Sequence, residues 1–453
     1  MAQFQWQPKK ADSNSEGGVG RSGSTSSLLQ TSEALTELKY KLHQRLIEEL
    51  DPSKLDGLDP AKARDAVESS ARALISQEMP GIVGITRDEL VTAVADEVLG
   101  LGPIEPLIRD PSISEVMVNA PDVVFYEKDG RLYLSPIRFR DAGHILRIAE
   151  RIIAPLGRRV DESSPMVDAR LADGSRVNII IPPVAPKSPT ITIRKFRQDK
   201  MTVEDLIATG TFTRELAEFL RACIQVKLNI LISGGTGTGK TTLLNALSAF
   251  IPDSERIITV EDPTELRLQQ AHLVSLEARP PSLEGKGEVT QRDLVRNCLR
   301  MRPDRILVGE VRGPEAFDMM QAMNTGHEGS ITTIHSNSPR DALARVENMI
   351  LMAGLDLPLR AIREQMTSAL QMVVQIARMP DGSRKIVTVS EITGMEGQIV
   401  TMQDIFRFEQ RGIDSEGRIV GDFRSTGIRP QFADRFAIAG IQISQDVFGA
   451  SGW

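Results

Sequence analysis

The chain has 453 residues, of which 41% are hydrophobic and 25% are charged, the composition of a soluble globular protein long enough for more than one domain. Its 54 lysines and arginines against 61 aspartates and glutamates give a net charge of -7, which argues against general binding of nucleic acid through its phosphates. Two cysteines, Cys223 and Cys298, cannot form a disulfide framework or a four-cysteine zinc site, so we expect a reducing, cytoplasmic setting.

The first hundred residues predict a polar tail followed by three helical segments. Residues 1–30 are rich in Ser, Gly, Asn and Gln and predict a disordered tail. Leucines then recur at helical spacing until an Asp-Pro stop, and a second helical pattern covers residues 60–77. A third begins at Thr86, where Glu89 completes a capping-box pattern. We interpret residues 31–100 as a small helical bundle.

No apolar segment of the sequence predicts a membrane span. The first residues lack the apolar core of a signal peptide, and no later stretch has roughly 18 unbroken apolar residues. We therefore expect the chain to reach a membrane only through partners.

Past Gly102-Pro103 the hydrophobic period changes from helical to alternating. Asp129-Gly130 and Asp173-Gly174 each separate two short alternating runs, which is the pattern of a β-hairpin. A single helix is predicted over residues 141–154. We therefore interpret residues 101–197 as an α+β domain with mostly antiparallel pairing. Its strands are predicted at residues 114–119, 123–128, 131–135, 166–171, 176–181 and 190–196.

From residue 198 onward, short apolar strands alternate with helices. This alternation favours a mainly parallel sheet that helices bury on both faces, so we assign residues 198–453 to one α/β domain with a C-terminal extension, of which nothing is predicted after about residue 397. Strands are predicted at residues 228–233, 256–261, 273–276, 305–309 and 330–334. Helices are predicted at residues 213–225, 240–250, 290–301 and 314–323, and a further helix is predicted to be capped by Ser338.

The sharpest motif is a glycine-rich loop between a predicted strand and a predicted helix. Glycines let successive amides turn inward around a phosphate, and the helix that follows adds its positive end. Lys240 is expected to reach the β- and γ-phosphates, Thr241 to bind magnesium, and Thr242 to complete the binding set. The strand before the loop and the helix after it make a chance glycine-rich turn a poor explanation. The motif reads Gly234-Gly235-Thr236-Gly237-Thr238-Gly239-Lys240-Thr241 and matches the phosphate-binding loop (P-loop) completely.

Hydrolysis also requires carboxylates that hold magnesium and orient a water, at the ends of neighbouring strands. Glu310 ends one apolar strand in the form of a Walker B motif, and Glu261 ends another, followed by Asp262. We predict that Glu310 and Glu261 both belong to the site and to its magnesium ligands. The sequence leaves open which of the two is the base.

Two of the five histidines, His327 and His335, flank the predicted strand 330–334. Their spacing does not suggest a metal pair on one helix face. We expect His335 to sense the γ-phosphate or to relay polar contacts.

Several runs of residues resemble the secretion ATPases, which are the motors of type II and type IV secretion and of pili. Glu261-Asp262-Pro263 is similar to the family's aspartate box, and residues 327–335 are similar to its histidine box. The remaining runs are RPDRILVGEVR at 302–312, NTGHEGS at 324–330 and TIH at 333–335.

Within this family the chain resembles the CpaF (TadA) branch, which assembles Flp or Tad pili. The resemblance to that branch rests on DESSPMVDAR at 161–170 and IRKF at 193–196. Many pilus extension motors carry a four-cysteine metal module, and the two cysteines of this chain, expected to be core residues, cannot form one. This absence favours the CpaF and VirB11 branches.

The resemblance implies a homohexamer of two-domain subunits, with a PAS-like α+β domain before a RecA-like motor domain. It further implies ATP as substrate, Mg²⁺ as cofactor, and inner-membrane pilus platform proteins as partners. Arg170, Arg176 and Arg194 match arginines with which the first domain completes the nucleotide site, although arginines on hairpins are commonly solvated cross-strand partners. Arg312 is either an ion-pair residue or a sensor.

The function that these patterns favour is magnesium-dependent ATP hydrolysis that powers pilus assembly from the cytoplasmic side of the inner membrane. A VirB11-type secretion motor is the nearest alternative. A nucleic-acid translocase is opposed by the net charge and by the lack of a basic stripe with interleaved aromatic residues. A nucleotide-binding regulator without hydrolysis is opposed by the presence of Lys240, Thr241 and Glu310.

Overall fold

The chain divides into two compact units, Met1–Arg197 and Gln198–Trp453. The computed structural model describes residues 41–42, 45–46, 59–78, 81, 85–128, 130–196, 201–281 and 286–443. The predicted tail, most of the first predicted helix and Asp129 lie outside these residues. Leu42 and Leu46 from that helix are described, and both are helical and buried. No helix in the described ranges is both long enough and apolar enough to cross a bilayer.

The first unit contains a helical part, and its two described helices lie close to the second and third predicted helical segments. Helix α1 covers Pro60–Glu78 and helix α2 covers Ile85–Leu99. Leu46 and Val67 pack with Leu90 in the core of this part. Because α2 begins at Ile85, Thr86 lies inside the first turn, and the capping box predicted at Thr86 is wrong: a cap residue must precede the first helical residue.

A six-stranded antiparallel sheet follows in the same unit, and both predicted hairpins are present. The strands are β1 (Ile113–Ala120), β2 (Val123–Lys128), β3 (Arg131–Leu134), β4 (Met166–Arg170), β5 (Arg176–Ile180) and β6 (Thr190–Arg194). Their order in the sheet is β3-β2-β1-β6-β5-β4. The short helix α3 covers Glu105–Arg109, and α4 covers Ala142–Ile153 after an Asp141 cap. Ile145 and Ile148 of α4 bury themselves against this sheet's apolar face.

The second unit is built on a nine-stranded sheet. Its strands are β7 (Ile230–Gly234), β8 (Ile257–Glu261), β9 (Leu273–Glu277), β10 (Arg305–Val308), β11 (Ile331–His335), β12 (Met372–Arg378), β13 (Arg384–Glu396), β14 (Ile399–Ile413) and β15 (Ile419–Ser425). Their order in the sheet is β15-β14-β13-β12-β7-β11-β10-β8-β9. Pairing is parallel from β12 to β9 and antiparallel from β12 to β15. The mainly parallel sheet is thus confirmed, whereas β12 and the three antiparallel strands that follow it were not predicted from the sequence.

Helices cover both faces of the parallel half. On β7, Ile230 and Ile232 belong to one buried cluster and Leu231 to the other, because successive side chains of a strand point to opposite faces. Cys223 and Cys298 are buried, one in each cluster, as predicted. The helices are α5 (Val203–Ala208), α6 (Arg214–Gln225), α7 (Lys240–Ser248), α8 (Gln291–Cys298), α9 (Glu315–Asn324), α10 (Pro339–Leu351), α11 (Leu359–Ala369) and α12 (Ala433–Ile438).

Helix α8 begins at the predicted cap and ends earlier than predicted. Thr290 accepts a hydrogen bond from the Asp293 amide, and the Asp293 carboxylate accepts one from the Thr290 amide. The helix stops at Cys298 rather than near Met301, and Arg302 soon after has a left-handed φ of 54°, which no helix accommodates.

Thr290→Ala should destabilise the second unit by about 1 kcal/mol, because it leaves the Asp293 amide at the start of α8 without its side-chain acceptor. Chemical denaturation followed by circular dichroism measures this loss. Thr290→Ser keeps the hydroxyl and serves as the control; equal stability of the alanine variant and the wild type would contradict the capping role.

Candidate functional site

The predicted site residues of the second unit meet at the carboxyl edge of the parallel strands. His335 at the end of β11 pairs with Gly234 at the end of β7. The Gly309 amide, just past β10, donates to the Val260 carbonyl of β8. Since parallel strands end on the same side, the residues that follow them share one edge, where open α/β sheets bind their ligands.

The P-loop, residues 234–241, has the backbone that a phosphate cradle needs. Gly237 and Gly239 adopt left-handed φ values of 71° and 95°, which residues with a Cβ rarely adopt. At Gly234 a Cβ would lie 2.5 Å from the Ile376 carbonyl oxygen and 2.6 Å from Thr238 Oγ1. The loop therefore accepts only glycine at three of its positions.

Lys240 is the first residue of α7 and is only 7% exposed. Its Nζ donates to the Gly235 carbonyl at 2.9 Å and lies 3.3 Å from His335 Nδ1. Thr241 and Thr242 follow in the first turn of α7 and are half-buried. The ammonium group thus lies inside the loop, at the positive end of the helix.

Glu310 links the P-loop lysine to Arg312 through His335. Glu310 Oε1 is 2.8 Å from His335 Nε2, and Glu310 Oε2 is 2.6 Å from the Arg312 guanidinium. The Glu310 side chain is only 18% exposed, so these contacts fix the direction of its carboxylate. Lys240, His335, Glu310 and Arg312 form one continuous polar chain, in which Arg312 takes the ion-pair role.

Burial, and next the charge of Lys240, lower the pKa of His335, while Glu310 opposes the shift. A neutral imidazole with its proton on Nε2 satisfies both contacts, since Nδ1 then accepts from Lys240 and Nε2 donates to Glu310.

His327 is not part of this chain. It precedes β11 at the opposite end from His335, and its buried Nδ1 has no hydrogen-bond partner.

Glu261 lies at the same edge but is far more deeply buried, at 1% exposure. Its Oε2 accepts hydrogen bonds from the amides of Glu265 and Leu266 at 2.6 and 2.7 Å, and its Oε1 is buried and accepts none. A Cβ at Gly309 would lie 3.0 Å from Glu261 Cγ. The glycine before Glu310 therefore makes room for the second carboxylate.

Burial raises the pKa of Glu261, despite the amides of Glu265 and Leu266 that stabilise its carboxylate. The native state thus disfavours the ionised form, and the wild type loses stability as pH rises through the native pKa. Glu261→Gln keeps the volume and the acceptor oxygen but carries no charge. We expect it to raise the Tm at pH 7, by roughly 2–4 °C for each kcal/mol regained.

The stability gain of Glu261→Gln should vanish near pH 4, where both proteins are uncharged at this position. Differential scanning fluorimetry from pH 4 to pH 8 measures it. Glu288→Gln, at an exposed residue, is the matched control and should leave the Tm unchanged. If Glu261→Gln melted below the wild type at pH 7, the claim that the buried Glu261 carboxylate destabilises the native state would be wrong.

The donors at this edge suit magnesium. Thr241, Glu261 and Glu310 offer only oxygen ligands, and Glu261 Oε1 is a buried carboxylate oxygen without a partner. Within the described ranges no three His, Cys, Asp or Glu side chains form a metal cluster of their own. Mg²⁺ prefers oxygen ligands and usually binds through one or two protein oxygens together with substrate phosphates.

The three arginines predicted for catalysis lie in the first unit and form a row across its sheet. Arg170 of β4 pairs with Arg176 of β5, and Arg176 pairs with Arg194 of β6. Arg194 is 52% exposed and lies 3.4 Å from Glu115. Cross-strand pairing accounts for their positions, and their predicted contribution to catalysis stays a prediction.

The sequence did not predict that a hairpin far along the chain contacts the P-loop. Arg384, the first residue of β13, donates from Nε to the Gly237 carbonyl at 3.2 Å. The Asp381-Gly382 turn that creates this hairpin is visible in the sequence, but the strand order that brings it to the loop is not.

The family described as Type II/IV secretion system protein matches residues 97–416, which include every residue of the site above. A Mycobacterium tuberculosis protein, MT3759, provisionally named as a conjugal transfer protein, is 39% identical over 309 residues, 67% of this chain and 87% of that protein.

Two VirB11 proteins are also similar. The type IV secretion system protein VirB11 of Bartonella henselae is 32% identical over 341 residues, covering 67% of this chain and 94% of that protein. The crystal structure of the VirB11 ATPase of Brucella suis is 32% identical and covers 63% of this chain and 94% of that one, with a TM-score of 0.35. With most of its length matched, and its P-loop and both carboxylates inside the match, the chain belongs to the Type II/IV secretion system protein family.

Proposed function

We propose that the second unit binds ATP on the P-loop and hydrolyses it with Glu310 and Glu261 at the adjoining strand ends. The observation that carries this proposal is the polar chain from Lys240 through His335 to Glu310, with distances of 3.3 and 2.8 Å. This chain connects the Lys240 ammonium, which would neutralise phosphate charge, to the Glu310 carboxylate, which can orient a water.

In this mechanism the amides of the P-loop and the start of α7 hold the β-phosphate, and Lys240 turns from the Gly235 carbonyl towards the β- and γ-phosphates. Glu310 orients the attacking water or accepts its proton. His335, kept neutral by burial and by Lys240, holds the Glu310 carboxylate and is close enough to Lys240 to respond when a γ-phosphate arrives.

Thr241, Glu310 and Glu261 are the residues that would hold Mg²⁺. When bound, the ion supplies charge neutralisation on the phosphate oxygens. We propose that the first unit contains a PAS-like domain and that the second unit contains a RecA-like motor domain, as the resemblance to secretion ATPases implies.

We further propose that Arg170, Arg176 and Arg194 act on the nucleotide phosphates. The three arginines form one row across the strands, in which Arg194 also lies 3.4 Å from Glu115. Guanidiniums neutralise the charge that develops on phosphate oxygens during transfer, which is the role that the resemblance assigns to them.

We propose that hydrolysis powers the assembly of a Tad/Flp-type pilus. In this proposal the motor is a homohexamer of the CpaF branch that lies in the cytoplasm and acts with platform proteins of the inner membrane. A VirB11-type role in type IV secretion is the second candidate, and the similarity to VirB11 of Bartonella henselae over 94% of that protein favours it. Binding to nucleic acid is not part of either role.

Deletion of the gene, complemented with wild type or with Glu310→Gln, separates the two candidates. Loss of surface pili that only the wild type restores supports pilus assembly, whereas intact pili with lost transfer of protein or DNA to a second cell supports the VirB11-type role.

Phosphate release by the purified protein, with and without DNA, tests the enzyme itself; salt-sensitive stimulation by DNA would point to a translocase.

A further inference from the structure

The tip of the β12–β13 hairpin packs on the outside of the P-loop. Strand β12 pairs in parallel with β7, up to Gln375 opposite Ser233. The next residue, Ile376, has its carbonyl oxygen 2.5 Å from where a Cβ of Gly234 would be. The hairpin backbone therefore lies against the first glycine of the loop. As a result, the arginines near the tip of the hairpin lie beside the loop.

Arg384 makes two contacts with the left-handed part of the loop. Its Nε donates to the Gly237 carbonyl oxygen at 3.2 Å. Its Cδ lies 3.1 Å from where a Cβ of Gly239 would be, so the aliphatic stem fills the space beside this glycine. Arg378, opposite Arg384 on β12, also approaches Gly237, at 4.0 Å from the corresponding position.

The Gly237 carbonyl is where a single hydrogen bond from outside can set the loop's conformation. When the amides of such a loop converge on a phosphate, its carbonyls point away from the phosphate. The Gly235 carbonyl is already held from within the loop, by Thr238 Oγ1 and by Lys240 Nζ. Gly237 and Gly239 have left-handed φ values. Because glycine has more conformational freedom than any other residue, these two positions lose much of it when a nucleotide orders the loop.

We propose that Arg384 is a positioning residue of the nucleotide site: it holds the P-loop in the phosphate-binding conformation through the Gly237 carbonyl and so increases affinity for ATP and ADP. The inference rests on the proposed nucleotide binding at this loop. It assigns to the β12–β13 hairpin a part in nucleotide affinity and leaves the hydrolytic step to Glu310 and its partners.

Three substitutions separate the hydrogen bond from the positive charge. Gln Nε2 occupies the same place along the side chain as Arg Nε, so Arg384→Gln keeps the donor and loses the charge. Arg384→Lys keeps the charge one atom further out and loses the donor at that place, and Arg384→Ala loses both. Arg424→Ala removes an exposed arginine on β15, ion-paired to Glu409, and is the matched control.

The experiment measures ADP binding to the full chain by calorimetry in Mg²⁺ buffer, together with KM and kcat for ATP. We expect Arg384→Ala and Arg384→Lys to weaken ADP binding and raise KM by about fivefold, the effect of one hydrogen bond, with kcat within twofold of the wild type. Arg384→Gln and Arg424→Ala should bind as the wild type does, and the Tm without nucleotide should be the same for all.

Wild-type affinity in Arg384→Ala would overturn the inference, as would recovery by lysine but not by glutamine, because charge alone would then be sufficient. A wild-type chain that bound no ADP would instead overturn the proposed nucleotide binding, and this inference with it.

Discussion

Lys240→Ala should reduce ATP hydrolysis by about 10²–10³-fold, the loss seen when a preorganised charge or donor is removed from a transition state. The Lys240 ammonium is nearly buried and lies 3.3 Å from His335, so water cannot replace its charge cheaply. Because lysine also neutralises phosphates in the bound state, ATP binding should weaken together with turnover. Phosphate release and calorimetry with ADP measure the two effects.

The chain should remain folded when Lys240 is removed. The Gly235 carbonyl, which accepts from Lys240, keeps its hydrogen bond from Thr238 Oγ1. The pKa of His335 should rise, since one of the charges that lower it is gone, and an NMR titration of the imidazole can follow this change. Lys187→Ala, at an exposed lysine of the first unit, is the control. Wild-type turnover in Lys240→Ala would disprove the site.

Strands β7 to β11 of the large sheet could be predicted from sequence because they are short, and all but the edge strand β9 are apolar and buried on both faces. The strand ending at Gly234 and the strand ending at Glu261 are buried at all positions, and short apolar runs between loops and helices are typical of strands in a buried parallel sheet. The hairpins of the first unit were equally accessible, because Asp-Gly turns fix where the chain reverses.

Strands β12 to β15 were not predicted, and the pattern of the last three is irregular. Register shifts interrupt the pairing between Ile392 and Gly394 and between Gln410 and Gly412. Each shift moves the following side chains to the other face, so the alternation that predicts a strand is broken. The burial pattern of β14 is correspondingly mixed along its length.

The candidate site could be predicted in part, for a related reason. Lys240, Glu310 and His335 each follow or end a predicted strand, and parallel strands bring such residues to one edge. Arg384 lies 144 residues after Lys240 in the sequence, and it reaches the P-loop only because β12 inserts beside β7. Strand order follows from packing of whole elements, which local patterns do not encode.

Glu310→Gln should reduce turnover by about 10²–10⁴-fold, the contribution of general base catalysis, while ATP still binds. Glutamine has the same shape and can still accept from Arg312, but it cannot take a proton from water. The variant thus differs from Lys240→Ala, which loses binding as well. Single-turnover phosphate release, combined with calorimetry using a non-hydrolysable ATP analogue, distinguishes the two.

The same assay applied to Glu261→Gln tests which glutamate is the base. Glu261 is 1% exposed and its Oε2 is held by two backbone amides, whereas the Glu310 carboxylate is joined to Lys240 through His335. We therefore expect the greater loss of turnover in Glu310→Gln. A larger loss in Glu261→Gln, with Glu310→Gln near the wild type, would move the base to the aspartate-box glutamate and leave Glu310 as a partner of His335 and Arg312.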